Sequence, residues 1–326
     1  MTVSLAGRRV LVTGGAGFIG SHVVSALVDL GAIVTVADLR PYRDDTARSI
    51  VGDLTHDGAV DAALEGGTDA IVHLAAITSV LGSLKEPVLT YDTNVGITAA
   101  LLERVRHSGV DSFVFASTNA VVGAGAGGAP GARIDESTPL RPLTPYGATK
   151  AAAEMLLSAS AAYGVRGVAL RLTNVYGTGM AQKDSVVARI MRAVINGATF
   201  EVFGDGRQVR DYVFVTDVVE AVILGLTGDI SGPLVIGSGT STSVLELLDL
   251  SRAVTGAPLP ARLGPPQPGE MAGVAVNLAR ATSLGWQPTI DLVGGLERVW
   301  EAWGRADSGA DGVAGIGRGD SPPVTV

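Results

Sequence analysis

The sequence predicts an α/β protein in which a doubly wound parallel sheet is joined to a smaller, mixed α/β C-terminal lobe. Between residues 9 and 172, short apolar runs alternate with longer stretches whose apolar residues recur at helical spacing. That is the rhythm of strand–helix–strand units with helices on both faces of one sheet. The short runs are apolar almost throughout, as strands covered on both faces require. After Tyr176 the alternation gives way to a mixed order of helices and strands.

The elements follow in order. Residues 9–13 read as a short buried strand, 14–20 as a loop, and 21–30 as a helix stopped by Gly31. Strands at 32–37, 69–74, 111–116 and 165–172 alternate with long helices at 90–108 and 145–163. In the second half, 185–196, 216–226, 243–255 and 292–303 suit helices, and 199–203 and 232–236 suit strands. Ser243 and Glu246 form a capping box at the start of 243–255. A Pro/Gly stretch covers 258–269, and the low-complexity segment 123–131 reads as a flexible loop near the site. Residues 305–326 hold little that could be buried and are expected to be a disordered tail. The expected organisation is a nucleotide-binding domain over 1–176, rejoined by 205–237. A substrate lobe is expected from 177–204 and 238–304.

Of 326 residues, 47% are hydrophobic and 17% charged, which fits a packed globular protein. The net charge of -8, with no basic block, argues against nucleic acid or an anionic membrane as partner. Without cysteine there are no disulfides and no thiolate metal sites. The four histidines (His22, His56, His73 and His107) show no ligand spacing and read as surface or core residues, so no metal is expected. No apolar run approaches the roughly 20 residues that span a bilayer, and no signal peptide is visible. The expected location is the cytoplasm.

Gly14, Gly17 and Gly20 lie between the first strand and the first helix. Glycines so placed allow a tight turn, close approach of backbone to a pyrophosphate, and close helix–strand packing. The following helix start, with Phe18 and Ile19, offers free N–H groups to phosphate. Asp38 ends the next strand, 18 positions after Gly20, near the spacing of about 20 for an acid that accepts ribose hydroxyls. Such a carboxylate repels a 2′-phosphate, so NAD is favoured over NADP, with Arg40 nearby as the opposing feature. An ordinary strand-end turn is the alternative reading of Asp38. Asp53 and Leu54 are expected near the adenine edge. Leu74, Ala75 and Ala76, small or apolar after a strand, would let backbone approach the cofactor, or simply pack closely.

Tyr146 and Lys150 stand four residues apart, which on a helix is one face. A cation beside a phenol favours the phenolate, which can then take a proton from a substrate hydroxyl. The pair alone also fits an ordinary helix with a half-buried Tyr and a solvated Lys. Ser117 and Thr118 end a strand at the carboxyl edge of the sheet, where their hydroxyls can share the same substrate oxygen. Lys150 would also hold the nicotinamide ribose.

Taken together, these pieces resemble an extended short-chain dehydrogenase/reductase of the NAD-dependent nucleotide-sugar epimerase/dehydratase family, with a Rossmann-type nucleotide domain. The matching segments are 13–20, Asp38, 73–76, Asn94, Ser117-Thr118, Tyr146-x-x-x-Lys150, 171–177, 203–211 and 284–288. The resemblance implies that Thr118 is the hydroxyl partner, Tyr146 the acid/base and Lys150 its helper. It implies that Asn94 belongs to the cofactor set, and Thr78 and Ser117 to the substrate set. It also implies that Asn174 and Arg210 contact a sugar-nucleotide diphosphate, and that backbone at 199–203, ending at Phe203, reads a pyrimidine. The alternative for Arg210 is a surface pair with Asp205 or Asp211.

The family reactions separate on the residues after Thr118. Dehydrating relatives carry Asp and Glu there; this chain has Asn119 and Ala120, which cannot transfer protons. C4 epimerisation of a UDP-hexose or UDP-uronate through a transient 4-keto sugar is therefore the expected reaction. A 4-ketoreductase or dehydrogenase uses the same triad and is the alternative, and a non-catalytic cofactor-binding protein is a further one. Two departures stand out: Val122 where the family usually has Tyr, and Gln267 where it often has Arg. Gln182 and Lys183 could meet a charged sugar substituent. Helices 90–108 and 145–163 resemble those that pair into a four-helix homodimer interface in the family.

Overall fold

The computed structural model describes residues 4–123, 133–266 and 273–308. In chain order these form β1 (Arg9–Thr13), α1 (Phe18–Asp29), β2 (Ile33–Asp38), β3 (Arg48–Val51), α2 (Ala59–Leu64), β4 (Ala70–His73), α3 (Val80–Lys85) and α4 (Pro87–Tyr91). Then come α5 (Ile97–Val105), β5 (Ser112–Thr118), α6 (Pro145–Ala159), β6 (Arg166–Leu172), β7 (Asn174–Tyr176), α7 (Val186–Ile195), β8 (Phe200–Phe203) and β9 (Val209–Phe214). The chain continues through α8 (Val215–Thr227), β10 (Gly232–Ile236), β11 (Ser241–Ser243), α9 (Val244–Thr255), β12 (Ala261–Gly264), α10 (Ala279–Ser283) and α11 (Leu292–Ser308).

Seven strands make one sheet in the order β10-β6-β5-β4-β1-β2-β3, and every pairing in it is parallel. Strand order reverses between β1 and β4, so a crevice opens there outside the carboxyl ends. The register aligns Thr13, His73 and Phe115 along that edge. Both faces are apolar. One core holds α1 and α8 against the sheet, through Val24, Leu27, Val218 and Val222. The other holds α5 and α6, through Leu101, Phe113 and Leu157.

A separate core forms where α7, α9 and α11 enclose β8 and β9, around Met191, Tyr212, Phe214, Leu247 and Leu296. Phe18 and Ile19, at the start of α1, pack against this second core. α8 and β10 return to the seven-stranded sheet. β7 and β9 do not: they form a three-stranded sheet with β11, so each lies on the far side of the expected boundary. Helix α11 runs to Ser308, past Arg305, where the tail was expected to begin. The rest of that tail, most of loop 123–131 and Gln267 lie outside the described residues. Among the described residues no helix is long and apolar enough to cross a membrane.

The expected long helix 90–108 is interrupted. α4 passes into a π turn at Asp92–Gly96 before α5 begins. A π turn inserts one residue into the helical ladder and is frequent at functional sites. Here it contains Asn94, which is 2% exposed. The Asn94 Oδ1 accepts from the Ile77 N–H at 2.8 Å, and Nδ2 donates to Ile77 O and to Thr149 Oγ1, both at 3.0 Å. One side chain thus ties the segment after β4 to α6.

Candidate active site

The loop after β1 is shaped for a dinucleotide. Gly14 has φ +70, a conformation that L side chains rarely adopt. A Cβ there would lie 2.7 Å from the Ala75 nitrogen. A Cβ on Gly20 would lie 2.1 Å from Gly14 O. Backbone of the β1 loop, the first turn of α1 and the segment after β4 therefore meet without side chains between them. That leaves N–H groups at the α1 start for an anion. The Asp38 carboxylate reaches the same loop, accepting from the Ala16 N–H at 3.0 Å and the Arg40 N–H at 3.1 Å. Each oxygen keeps a lone pair for a ribose hydroxyl. The chain's own residues fit an NAD-type cofactor.

Behind this cradle lies a hydrogen-bonded chain that the sequence did not suggest. The Ala75 N–H donates to Thr13 Oγ1 (3.3 Å), which lies 2.7 Å from His73 Nδ1. His73 Nε2 lies 3.0 Å from Thr98 Oγ1, and that hydroxyl donates to Asn94 O at 2.7 Å. Since Thr98 spends its proton on Asn94, Nε2 must donate to Thr98, and Nδ1 accepts from Thr13. Complete burial pushes the His73 imidazole down to about 3, with the Lys150 charge acting the same way. His73 is therefore neutral, and its directional bonds link the cofactor loop to the π turn. The available signal was a His inside an otherwise apolar strand.

The catalytic candidates meet at the end of β5 and the start of α6. Thr144 caps α6 by accepting from the Gly147 N–H, and Pro145 occupies its first turn, where its missing N–H costs nothing. This sets Tyr146 beside Thr118, which acts to lower its phenol; the Thr118 hydroxyl also donates to Asn119 Oδ1 at 3.3 Å and accepts from the Ala120 N–H at 3.2 Å. Lys150, 2% exposed, donates to Ala116 O at 2.8 Å and stands 4.6 Å from the centre of the Phe115 ring.

Two expectations change here. A Tyr146 phenol lowered by Lys150 is not what these side chains produce. Burial pushes it up to about 12, and the Thr118 hydrogen bond only partly opposes this. Lys150 points beneath the helix toward Ala116 and Phe115. Burial brings its ammonium down to about 7, with Glu154 opposing. Ser117, expected at the substrate, instead donates its hydroxyl to Glu154 inside the protein. Arg171, 4% exposed, grips the same carboxylate through Nη2 at 2.9 Å and Nε at 3.1 Å.

The other expected residues are distributed as follows. Asp53 accepts from the N–H and hydroxyl of Thr55 in the turn after β3, and Leu54 is buried beside it. Leu74 continues the β1–β4 ladder by donating to Thr13 O, and Ala75 and Ala76 follow it, half-buried. Asn94 gives both amide protons to protein atoms, so it positions the cofactor segment. Thr78 is exposed just before Ser79, the cap of α3. Asn174 donates to Asp211 O at 3.0 Å, and Arg210 donates to Val209 O at 2.9 Å on the neighbouring strand. Phe203 packs its ring under the Arg189 guanidinium, and Gln208 takes its carbonyl. Lys183 lies in the segment after β7, its ammonium lowered by burial. The Thr178 carbonyl in that segment lies 2.9 Å from His22 Nε2 of α1.

Residues 10–237 match the model of the NAD dependent epimerase/dehydratase family. The UDP-glucose 4-epimerase of Lacticaseibacillus casei is 34% identical over 319 residues, covering 89% of this chain and 95% of that protein. The crystal structure of UDP-glucose 4-epimerase with UDP-glucose from Thermotoga maritima superposes with a TM-score of 0.87 at 32% identity, covering 91% of this chain and 99% of that one. MoeE5 in complex with UDP-glucuronic acid and NAD is similar with a TM-score of 0.84 at 37% identity, over the same shares of the two chains. With the glycine cradle, Asp38 and the Thr118–Tyr146–Lys150 cluster in place, this chain belongs to the NAD-dependent epimerase/dehydratase family.

Proposed function

We propose that the protein interconverts C4 epimers of a UDP-sugar, hexose or uronate, through a transient 4-keto sugar and with tightly held NAD. One observation supports the reading most: Tyr146 lies against Thr118 at the carboxyl end of β5, with Lys150 one turn further along α6 and anchored under the same strand at Ala116, while the β1 loop forms a backbone cradle shaped for a dinucleotide. NAD, when bound, supplies the hydride acceptor and donor together with a positive ring beside the phenol. The remaining work is done by side chains. Tyr146 Oη takes the proton of the 4-hydroxyl as C4 is oxidised and returns it as C4 is reduced on the other face. Thr118 hydrogen-bonds the same oxygen, fixing its distance to the phenol. Lys150 holds positive charge under the site. Asn119 and Ala120, the two positions after Thr118, offer no acid, which fits a reaction without elimination of water.

For the substrate, Asn174 and Arg210 sit on adjacent strands and suit a diphosphate, since amide and guanidinium groups donate to phosphate oxygens. Lys183 favours a uronate, because a partly desolvated ammonium gains most from a carboxylate. The test is incubation of the purified protein, without added cofactor, with UDP-glucose, UDP-galactose and UDP-glucuronate. C4 epimers are followed by NMR. No epimer from any of them overturns the reading, and Lys183→Ala with an unaltered uronate-to-hexose preference overturns the uronate.

A homodimer through α4, α5 and α6 belongs to the same proposal. Leu84 of α3, Val88 and Tyr91 of α4, Met155 of α6 and Tyr163 in the turn that follows α6 are exposed, with Val88 at 70% and Met155 at 62%. Packing a second copy's equivalent helices over them would bury the patch.

A further inference from the structure

We propose that Glu154 is a positioning residue for proton transfer. Its carboxylate, clamped by Arg171 and Ser117 beneath α6, supplies the negative charge that offsets the burial of the Lys150 ammonium. The proposal rests on the reading of Lys150 as a working group of the site.

The neighbourhood of Lys150 makes a counter-charge necessary. Its ammonium has a carbonyl oxygen (Ala116) and an aromatic face (Phe115) as close neighbours. Both attract a cation, but neither carries charge, and a buried ammonium with neutral neighbours gives up its proton readily. The titratable groups that act on it are Glu154, one turn further along α6, and His73 from β4, with Arg171 of β6 behind Glu154; Tyr146, on the same helix, turns away to Thr118. His73 is neutral, Tyr146 holds its proton, and Arg171 is a cation. Among the described residues that leaves Glu154, one helical turn beyond Lys150, as the negative member, and it acts to raise the ammonium.

Glu154 is itself held by charged and polar partners. It is 8% exposed, and a charge so buried is costly unless it is paired and hydrogen-bonded. Arg171 grips it through two nitrogens and Ser117 donates a hydroxyl. Arg171 is held in turn by donating Nη1 to Glu136 O at 3.2 Å, and Glu136 Oε1 accepts from the Val235 N–H at 2.8 Å. The charge under Lys150 is therefore fixed from β5, β6, β10 and the segment leading into α6. A residue serving only to neutralise Arg171 would not need to stand one turn from Lys150 on the same helix.

The chain has three lysines, Lys85, Lys150 and Lys183, so labelling lysine at Cε yields three resolvable titrations in the intact protein. In Glu154→Gln, which keeps shape and removes charge, the Lys150 midpoint is expected to fall by about one pH unit or more. Lys85 and Lys183 should keep their midpoints and report an intact fold. Glu154→Asp should restore the Lys150 midpoint. Where Glu154→Gln does not fold, because Arg171 is left buried and unmatched, the paired variant Glu154→Gln/Arg171→Met carries no stranded charge. It should shift Lys150 in the same direction. An unmoved Lys150 midpoint in either folded variant overturns the proposal. The alkaline limb of kcat should move with the midpoint while KM stays constant; a uniform loss of rate with an unmoved limb also refutes it. The titration needs no substrate, so its failure is distinct from failure to epimerise UDP-sugars.

Discussion

Gly20→Ala tests the cofactor cradle directly. The added Cβ would stand 2.1 Å from Gly14 O, 2.7 Å from Gly15 Cα and 2.9 Å from Gly14 C, where ordinary contact begins at 3.4 Å. All three are backbone atoms, so no rotamer change relieves the overlap. The loop cannot retreat either, because Gly14 donates to Ala37 O at 2.8 Å and already abuts Ala75. The first turn of α1 must therefore move outward by more than about 1 Å. Overpacking of this kind costs about 1–3 kcal/mol. At about 2–4 °C per kcal/mol, Tm should drop by roughly 2–12 °C. Cofactor binding should suffer more, because the displaced N–H groups are those offered to the pyrophosphate. A tenfold loss of affinity corresponds to about 1.4 kcal/mol. Melting curves with and without NAD, and the NAD retained through gel filtration, measure the two effects. A variant that melts like the wild type and is stabilised equally by NAD would refute the argument that these backbones touch.

Tyr146→Phe should lower kcat by about 10²–10⁴-fold with the fold intact, and C4 epimers at the wild-type rate would break the mechanism. Asn94→Leu strands Ile77 and Thr149 groups at about 1–3 kcal/mol each, so its urea midpoint should fall clearly; an unchanged midpoint removes Asn94 from the frame. Met155→Glu sets a charge in the exposed patch on α6 and should give a monomer by light scattering, whereas an undiminished dimer relocates the interface. His73 titrates near 3 in the folded chain against 6.5 when free, so the unfolded chain binds more protons between those values. Stability should fall as pH drops through that window, by about 2 kcal/mol between pH 6.5 and 5. Urea unfolding of the wild type and His73→Gln should show this loss in the wild type alone.

Much of the fold was legible because periodicity and glycine placement are local signals. Strand β1, the loop after it and Asp38 lie where their spacing put them, and Ser243 and Glu246 form both bonds of the capping box. The elements that escaped are short or fixed from elsewhere. Strand β3 is four residues of edge, paired on one side, with little apolar pattern to read. Strands β7 and β11 have three residues each and exist because β9 lies between them. The π turn at Asp92–Gly96 follows from the tertiary partners of Asn94, and no helical spacing rule contains those. Within the site, sequence named the glycine loop after β1 and Asp38, which the structure brings together. It missed the layer beneath them, the His73 chain and the Glu154–Arg171 pair, because each spans strands and helices that are distant in sequence.

The Tyr146–Lys150 spacing carries a more general point about reading such pairs. Four residues apart on a helix places two side chains on one face, and that much holds. It does not make them electrostatic partners, since their ends diverge. Tyr146 turns to Thr118 at the cleft, while Lys150 dives under α6 to Ala116, Phe115 and the charge of Glu154. Burial then acts in opposite senses, favouring the neutral phenol and the neutral amine. It leaves them near 12 and 7, wider apart than either free group would be from the other. A phenol held that high is loaded to donate a proton to a keto oxygen. To accept one from a hydroxyl it needs positive charge close to its own oxygen, and Lys150, the cation on the same helix face, points to Ala116 and Phe115 instead. On the proposed reaction, the acid–base cycle is therefore asymmetric in what the chain supplies: Tyr146 and Thr118 would provide the donor, and the drive toward phenolate would arrive with the ligands of the site.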